Sequence, residues 1–297
     1  MSLYKYTPSG VQARLFDLRH TLESAQPLTF FSDYNEKKGT LRYTSGKQII
    51  DTRFSLSNGV GKFTLTEKNI QSKKKELVRR FGLDYNMERM YADIQTDAFM
   101  KAAVKGYMGM RITLNDPWET TLCYIVSQYN NVKKIRGTVL KIIDKFGTDI
   151  TDGDNTAKSF PTSEALTAAT EKDFRECGAG FRAKYLKSAA EFCTNNLNLY
   201  KLQKKGYDEL KESLMEIDGV GDKVADCIAL LGYGNLEAFP IDVWVKRTLE
   251  NVYFKGKQKK IKDLHKFAEE RWHKQYLGYA QQYLFWGGRQ MGTKVIL

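Results

Sequence analysis

Apolar and polar positions alternate between about residues 26 and 70, where Leu41 and Tyr43, Phe54 and Leu56, and Phe63 and Leu65 each flank one polar residue. A period of two is that of a strand with one buried face. Ser57-Asn58-Gly59-Val60-Gly61 separates the last two runs, and its Asn-Gly step tolerates the positive φ angles of a tight hairpin. An antiparallel sheet domain over residues 1–76 is predicted. After Ser72 the period lengthens to that of a helix. Leu122, Ile125, Val126 and Tyr129 share one face, as do Val132, Ile135, Val139 and Ile142. The stretch 151–156 is polar, shows no period and reads as a loop; helices resume after Ser163, a plausible N-cap. Residues 77–297 are therefore read as mainly helical, and the fold class as α+β.

A chain of 297 residues can bury a large core and form two or three subdomains. With 42% hydrophobic and 28% charged residues it reads as a folded, soluble protein rather than a disordered one. No apolar run reaches the roughly 18 residues needed to span a bilayer. The first six residues lack the apolar centre of a signal peptide. An intracellular protein is expected. Lysine and arginine total 47 against 35 acids, a net charge of +12, which favours a polyanionic partner or else a generally basic surface. Two lysine runs, at 73–75 and 255–260, read as solvated charge, with DNA contact as the alternative. The four cysteines form no C-x-x-C pair and none follows Cys227. That argues against zinc, a disulfide framework and a C-terminal iron–sulfur cluster, and for buried reduced thiols.

The chemistry concentrates between residues 205 and 243. Tyr207, Leu210 and Leu214 give one helix an apolar face, and Val220, Val224, Ile228 and Leu231 give the next one another. Between them, Gly219-Val220-Gly221 has no side chains at its glycines, so backbone N–H groups can point at a phosphate beside a helix N-terminus. A tight interhelix turn is the plainer reading of the same three residues. Lys223 opens the second helix, where a cation opposes the helix dipole and gains nothing for stability. Burial and that dipole both favour the neutral, nucleophilic amine. Asp242, 19 residues further on in the 239–243 Pro-Asp segment, can cap the helix that starts at Val243, stand beside a developing positive charge, or do both.

These residues resemble the helix-hairpin-helix DNA glycosylases (the HhH-GPD superfamily), and most closely their 8-oxoguanine branch. The resemblance extends from about Leu18 to the C-terminal region. It includes Gly109 to Glu119, Asn130 to Gly137, Phe160-Pro161-Thr162, Gly178 to Tyr185, and Tyr279 to Phe285. It implies that Lys223 attacks C1′ of a flipped nucleoside and that Asp242 stabilises charge on the sugar. A Schiff base then leads to strand cleavage by β-elimination. By the same resemblance Cys227, Pro240, Gln281 and Phe285 surround the base, with Gln281 and Phe285 four residues apart on one helix face. Phe181 is the wedge, and Arg182 hydrogen-bonds to the estranged base. Asn130, Asn131 and the hairpin Gly219, Val220 and Gly221 touch DNA. Trp244 stands at a phosphate-contacting position, although core packing is the simpler reading.

Three departures bear on the substrate. Ala25 stands where the family commonly has a glycine, whose carbonyl accepts the N7–H of 8-oxoguanine. Tyr129 replaces an asparagine that fills the gap in the duplex. Lys134 replaces an arginine that reads the opposite cytosine, and the loss of a bidentate contact relaxes that preference. The resemblance implies a bifunctional 8-oxoguanine glycosylase and AP lyase, acting as a monomer on duplex DNA containing a damaged base. No cofactor is required, while K+ or Na+ at the hairpin carbonyls of Gly219 and Gly221 is implied. Excision of an alkylated or deaminated base, and a non-catalytic DNA-binding module, are the alternatives.

Overall fold

Asn58 and Gly59 adopt φ angles of 49° and 73°, the two consecutive left-handed residues that a two-residue hairpin needs, and they set Ser57 opposite Val60. The computed structural model describes residues 3–65 and 70–292. Six strands, β1 (Tyr4–Thr7), β2 (Gly10–Arg14), β3 (Asp33–Asn35), β4 (Thr40–Ser45), β5 (Gln48–Ser57) and β6 (Val60–Leu65), form an antiparallel sheet in the order β1-β2-β6-β5-β4-β3. Leu41, Tyr43, Phe63 and Leu65 point into the core as their alternation predicts. Leu56 does not: it is exposed near the hairpin tip, and Ile50 and Thr52 supply the inward positions of β5.

The strand pattern also starts later than expected. Pro27–Phe31 is a short helix with proline in its first turn, where the missing N–H costs nothing. Leu28, Phe30 and Phe31 are all buried, so their spacing carries no clear period. Residues 151–156, expected as a loop, belong to a hairpin of β7 (Asp149–Asp152) and β8 (Asn155–Lys158) around Gly153 at φ 64°. Its residues are exposed or only partly covered, so no alternation marks it.

That hairpin explains the first lysine run. Lys73 is buried with its Nζ 2.9 Å from Asp152, and Asp152 also accepts the Ile49 N–H at 3.0 Å. Lys74 is buried as well and donates to the carbonyls of Thr7 and Pro8 at 2.7 and 3.1 Å. Two of the three lysines are thus internal ties rather than solvated charge or DNA contacts, and only Lys75 is exposed.

The helix Ile70–Arg80 runs without a break past position 76. Phe81, just beyond it, stacks on Phe63 at 5.1 Å and joins Phe16 and Phe54 in one aromatic cluster. Sheet and helices therefore share a continuous apolar core. Two buried arginines stitch the crossing. Arg80 donates to Glu76 at 2.9 Å and Asn115 at 3.0 Å, and Arg111 donates to the carbonyls of Arg14, Leu15, Gly82 and Tyr85. The body that follows is helical through Met291 except for the β7–β8 hairpin. All four cysteines are free and buried. Among the described residues no helix is long and apolar enough to cross a membrane.

Candidate active site

Two helices, Tyr207–Met215 and Asp222–Tyr233, enclose the glycine hairpin. Leu210, Leu214, Val220, Val224, Ile228 and Leu231 are buried, as their spacing predicts. Gly219 sits at φ +83°, and a Cβ there would come within 2.6 Å of the Tyr185 ring, so a larger residue is excluded on two counts. Its carbonyl accepts Gln128 Nε2 at 3.0 Å. Gly221 N-caps the second helix with no atom within 4 Å of where its Cβ would be. The helix N-terminus is open to an anion.

Lys223 lies in the first turn of that helix. Its Nζ is 5.1 Å from the centre of the Tyr124 ring and is hydrogen-bonded to Cys227, one turn on. Burial pushes the Cys227 thiol up to about 11, against the pull of Lys223, so it stays protonated near neutral pH and serves as wall rather than nucleophile. Asp242 caps the helix Val243–Tyr253 by accepting the Val245 N–H at 2.8 Å. Lys223 and Asp242 line one cavity of about 300 Å³. Among the described residues no ion pair closes the space between them.

The remaining walls come from distant parts of the chain. Pro240 and Cys227 stand near the Lys–Asp pair; Gln281 and Phe285 project from the helix Leu277–Met291. Gln281 is only 6% exposed, and its Oε1 accepts no hydrogen bond from the protein. A buried amide oxygen without a donor is costly unless a ligand supplies one. Ala25 also lines the cavity, at φ +58°. That left-handed backbone costs an alanine about 1–2 kcal/mol relative to glycine. Neighbouring bonds hold it there. Gln26 donates to Arg111 O at 2.7 Å and accepts Thr113 N–H at 2.7 Å, while Gln282 donates to Ser24 O at 3.0 Å.

The rim differs from expectation in two places. Trp244 is not core: it is 38% exposed, lines the cavity, and carries the guanidinium carbons of Arg247 and Arg289 at 5.2 and 6.0 Å from its ring. Arg182, expected to reach the estranged base, is only 7% exposed, with its donors spent on backbone carbonyls of Ala179, Gln128 and Tyr129. Phe181 beside it is half exposed. Asn130 bonds locally, to Val126 O at 3.1 Å and Asn131 N–H at 3.0 Å, and Asn131 caps the helix Val132–Phe146. Both asparagines line the cavity. Lys134 is exposed and does not line it.

Tyr124, Arg247 and Arg289 were missed in the sequence. Their available signals were positional: Arg247 lies three residues after Trp244 and Arg289 four after Phe285. Asp222, Asp226 and His265 bring one potential metal ligand each within 4.8 Å of the others. Lys211 already supplies a cation there, with Nζ 2.8 Å from Asp222 and 2.9 Å from Asp226.

Comparison with known proteins matches two stretches of the chain. Residues 122–274 match the HhH-GPD superfamily of base excision DNA repair proteins, and residues 10–121 match the N-terminal domain of 8-oxoguanine DNA glycosylase. The chain belongs to the HhH-GPD superfamily. It is 29% identical over 269 residues to the N-glycosylase/DNA lyase of Saccharomyces cerevisiae, covering 84% of this chain and 72% of the yeast protein. Among solved structures it is similar to MBOgg1 in complex with a low affinity DNA ligand, at 30% identity and a TM-score of 0.86, over 97% of this chain and 98% of that one. It is also similar to the Clostridium acetobutylicum 8-oxoguanine glycosylase/lyase bound to DNA with cytosine opposite 8-oxoG, at 28% identity and a TM-score of 0.86, over 98% and 99% of the two chains.

Proposed function

We infer that this chain is a bifunctional DNA glycosylase and AP lyase that excises 8-oxoguanine from duplex DNA. The observation that carries the reading is one cavity with Lys223 and Asp242 on one side and an unpartnered Gln281 oxygen on the other. A purine presents N–H donors on its Watson–Crick edge, which suit that oxygen, while Phe285 offers a stacking face. The Ala25 turn brings backbone to the same wall, and its carbonyl can take the N7–H that guanine lacks.

In the reaction the Lys223 amine forms a bond to C1′ as the N-glycosidic bond breaks, and the base leaves with a proton. The Asp242 carboxylate opposes the positive charge that builds on the sugar. Loss of a proton from the amine and ring opening give the Schiff base. Removal of a C2′ proton then expels the 3′ phosphate, and water releases the lysine. Gly221 and the helix dipole offer a seat for a backbone phosphate, and the Trp244–Arg247–Arg289 rim adds positive charge at the mouth. Gly219 O keeps one lone pair after accepting the Gln128 amide, which suits a monovalent cation held by hairpin carbonyls; the ion would add positive charge beside that phosphate. The protein works as a monomer at DNA inside the cell.

A 5′-labelled duplex with one 8-oxoguanine opposite cytosine tests the reading. A nick bearing an unsaturated aldehyde 3′ end, formed without alkali, is expected. An intact strand even after alkali would refute it, and selective cutting at an alkylated or deaminated base would move the substrate.

A further inference from the structure

Asp226, in the helix Asp222–Tyr233, is fully buried, yet its Oδ2 has no hydrogen-bond partner. Its other oxygen is held twice. Oδ1 accepts the Tyr207 hydroxyl at 2.6 Å and lies 2.9 Å from Lys211 Nζ. Those bonds fix the carboxylate and leave Oδ2 for a further partner. A buried oxygen without one is costly, and an ion is one of the few species that satisfies it. The surroundings supply the rest of a ligand set, because one donor atom each from Asp222, Asp226 and His265 fall within 4.8 Å of one another. The charges there do not balance either. Lys211 brings one positive charge to two carboxylates, at 2.8 Å from Asp222 and 2.9 Å from Asp226. Asp208 and Glu269 add negative charge nearby. On a chain of net charge +12 this is a negative spot, which attracts a cation and repels phosphate. The His265 ring stands edge-on to Phe239 at 6.2 Å, and burial lowers its pKa, which keeps the imidazole in the neutral form that can bind a metal.

We propose that Asp222, Asp226 and His265 bind one divalent transition-metal ion of the Zn2+ type, which ties the second hairpin helix to the helix Ile261–Arg271. Ligands about 2.1 Å from one Zn2+ stand about 3.4 Å apart in a tetrahedron. Asp222, whose side chain is more than half exposed, can rotate to close the remaining distance. Water completes the fourth position. An imidazole among the donors favours this class of ion over Mg2+ or Ca2+, which prefer oxygen alone. Tyr207 and Lys211 act as outer partners that orient the Asp226 carboxylate. The four cysteines are buried elsewhere and take no part. Lys223 and Cys227 line the catalytic cavity, whereas Asp222 and Asp226, one position before each, lie outside it. The ion therefore sits behind the helix that carries the amine. It is distinct from a monovalent ion at the hairpin carbonyls, and it does not depend on the glycosylase reading.

The test is calorimetric titration of the full chain with Zn2+, after chelator treatment and with the thiols kept reduced. One ion per chain should bind, with a Kd of about 1 µM or tighter. The melting temperature should rise with Zn2+ concentration, because the ligands converge only in the folded chain. Co2+ in place of Zn2+ should give visible ligand-field absorption. Asp222→Asn and His265→Ala should each weaken Zn2+ binding about 100-fold or more, since loss of even an outer partner costs about 10–100-fold. Mg2+ in roughly 1000-fold excess should leave the Zn2+ in place.

Absence of stoichiometric binding overturns the proposal. Binding that survives both substitutions overturns it too, because the ion would then sit on thiols or on other surface carboxylates. Displacement by Mg2+ would overturn the assignment of the ion's class. If His265→Ala fails to fold, Asp222→Asn, at an exposed position, still decides the site. Lesion cutting by the wild type is measured separately, so the metal site and the glycosylase reading stand or fall independently.

Discussion

Gln282 Nε2 donates to the carbonyl of Ser24 at 3.0 Å, joining residues 258 positions apart. The bond fixes the C-terminal pocket helix against the Ala25 turn, so one wall of the cavity is assembled from the two ends of the chain. Gln281, the preceding residue, is buried with an amide oxygen left for a ligand. The pocket's shape is therefore set by tertiary contacts, and a substitution at Ala25 acts on geometry that these bonds already hold.

Ala25→Gly removes a side chain from a left-handed backbone at φ +58°. Because the surrounding hydrogen bonds keep the turn in place, the expected result is a gain of about 1 kcal/mol, partly offset by the extra freedom of glycine in the unfolded chain. Urea denaturation measures it. A loss of stability would mean that the methyl group packs favourably and that the strain is absent.

Asp242 has two roles that substitution separates. Asparagine caps a helix about as well as aspartate, so Asp242→Asn should change stability by less than about 0.5 kcal/mol. The same change removes the negative charge facing the sugar and should slow base excision by about 10²–10³-fold. Asp242→Ala should add a capping loss of about 1 kcal/mol. Single-turnover excision and thermal melts on the three proteins give both numbers. Full activity in Asp242→Asn would restrict the residue to its cap.

Glu119 gives the protein a pH dependence of opposite sign to that of its paired surface acids. Burial pushes its carboxyl up to about 7, against the pull of Arg80. The folded protein therefore binds this proton more tightly than the unfolded chain does. The resulting stability is complete below about pH 4.5 and is lost as pH rises through about 7. Asp152 runs the other way: its bond to Lys73 and the Ile49 N–H hold it low, so its contribution is present above about pH 4 and disappears in acid. Glu119→Gln, a neutral stand-in for the protonated acid, should lose less stability than wild type between pH 5 and 8, the gap being roughly 2 kcal/mol. Parallel denaturation curves would show that Glu119 does not titrate in this range.

Much of this was readable from the residues alone, for local reasons. The Asn58-Gly59 turn, the buried faces of the hairpin helices, the Asp242 cap and the common cavity of Lys223 and Asp242 follow from short-range pattern and from one recognised motif. What escaped depends on distant partners. Lys73 is internal because Asp152 comes from a hairpin about 80 positions away, and that hairpin shows no period because it has no fully covered face. The bonds of Arg182 escaped because they reach carbonyls of a turn about 53 positions earlier. Trp244 looked like core because nothing in sequence reveals that its neighbours Arg247 and Arg289 keep it at the rim.

Borohydride reduction during turnover tests the central claim most directly, because it freezes the imine between protein and sugar. With an 8-oxoguanine duplex, wild-type protein should gain the mass of the DNA fragment, on a peptide whose modified residue is Lys223. Lys223→Gln should remain folded and give no adduct. A persistent adduct in that variant, or attachment at another lysine in the wild type, would contradict the assignment of Lys223 as the attacking amine.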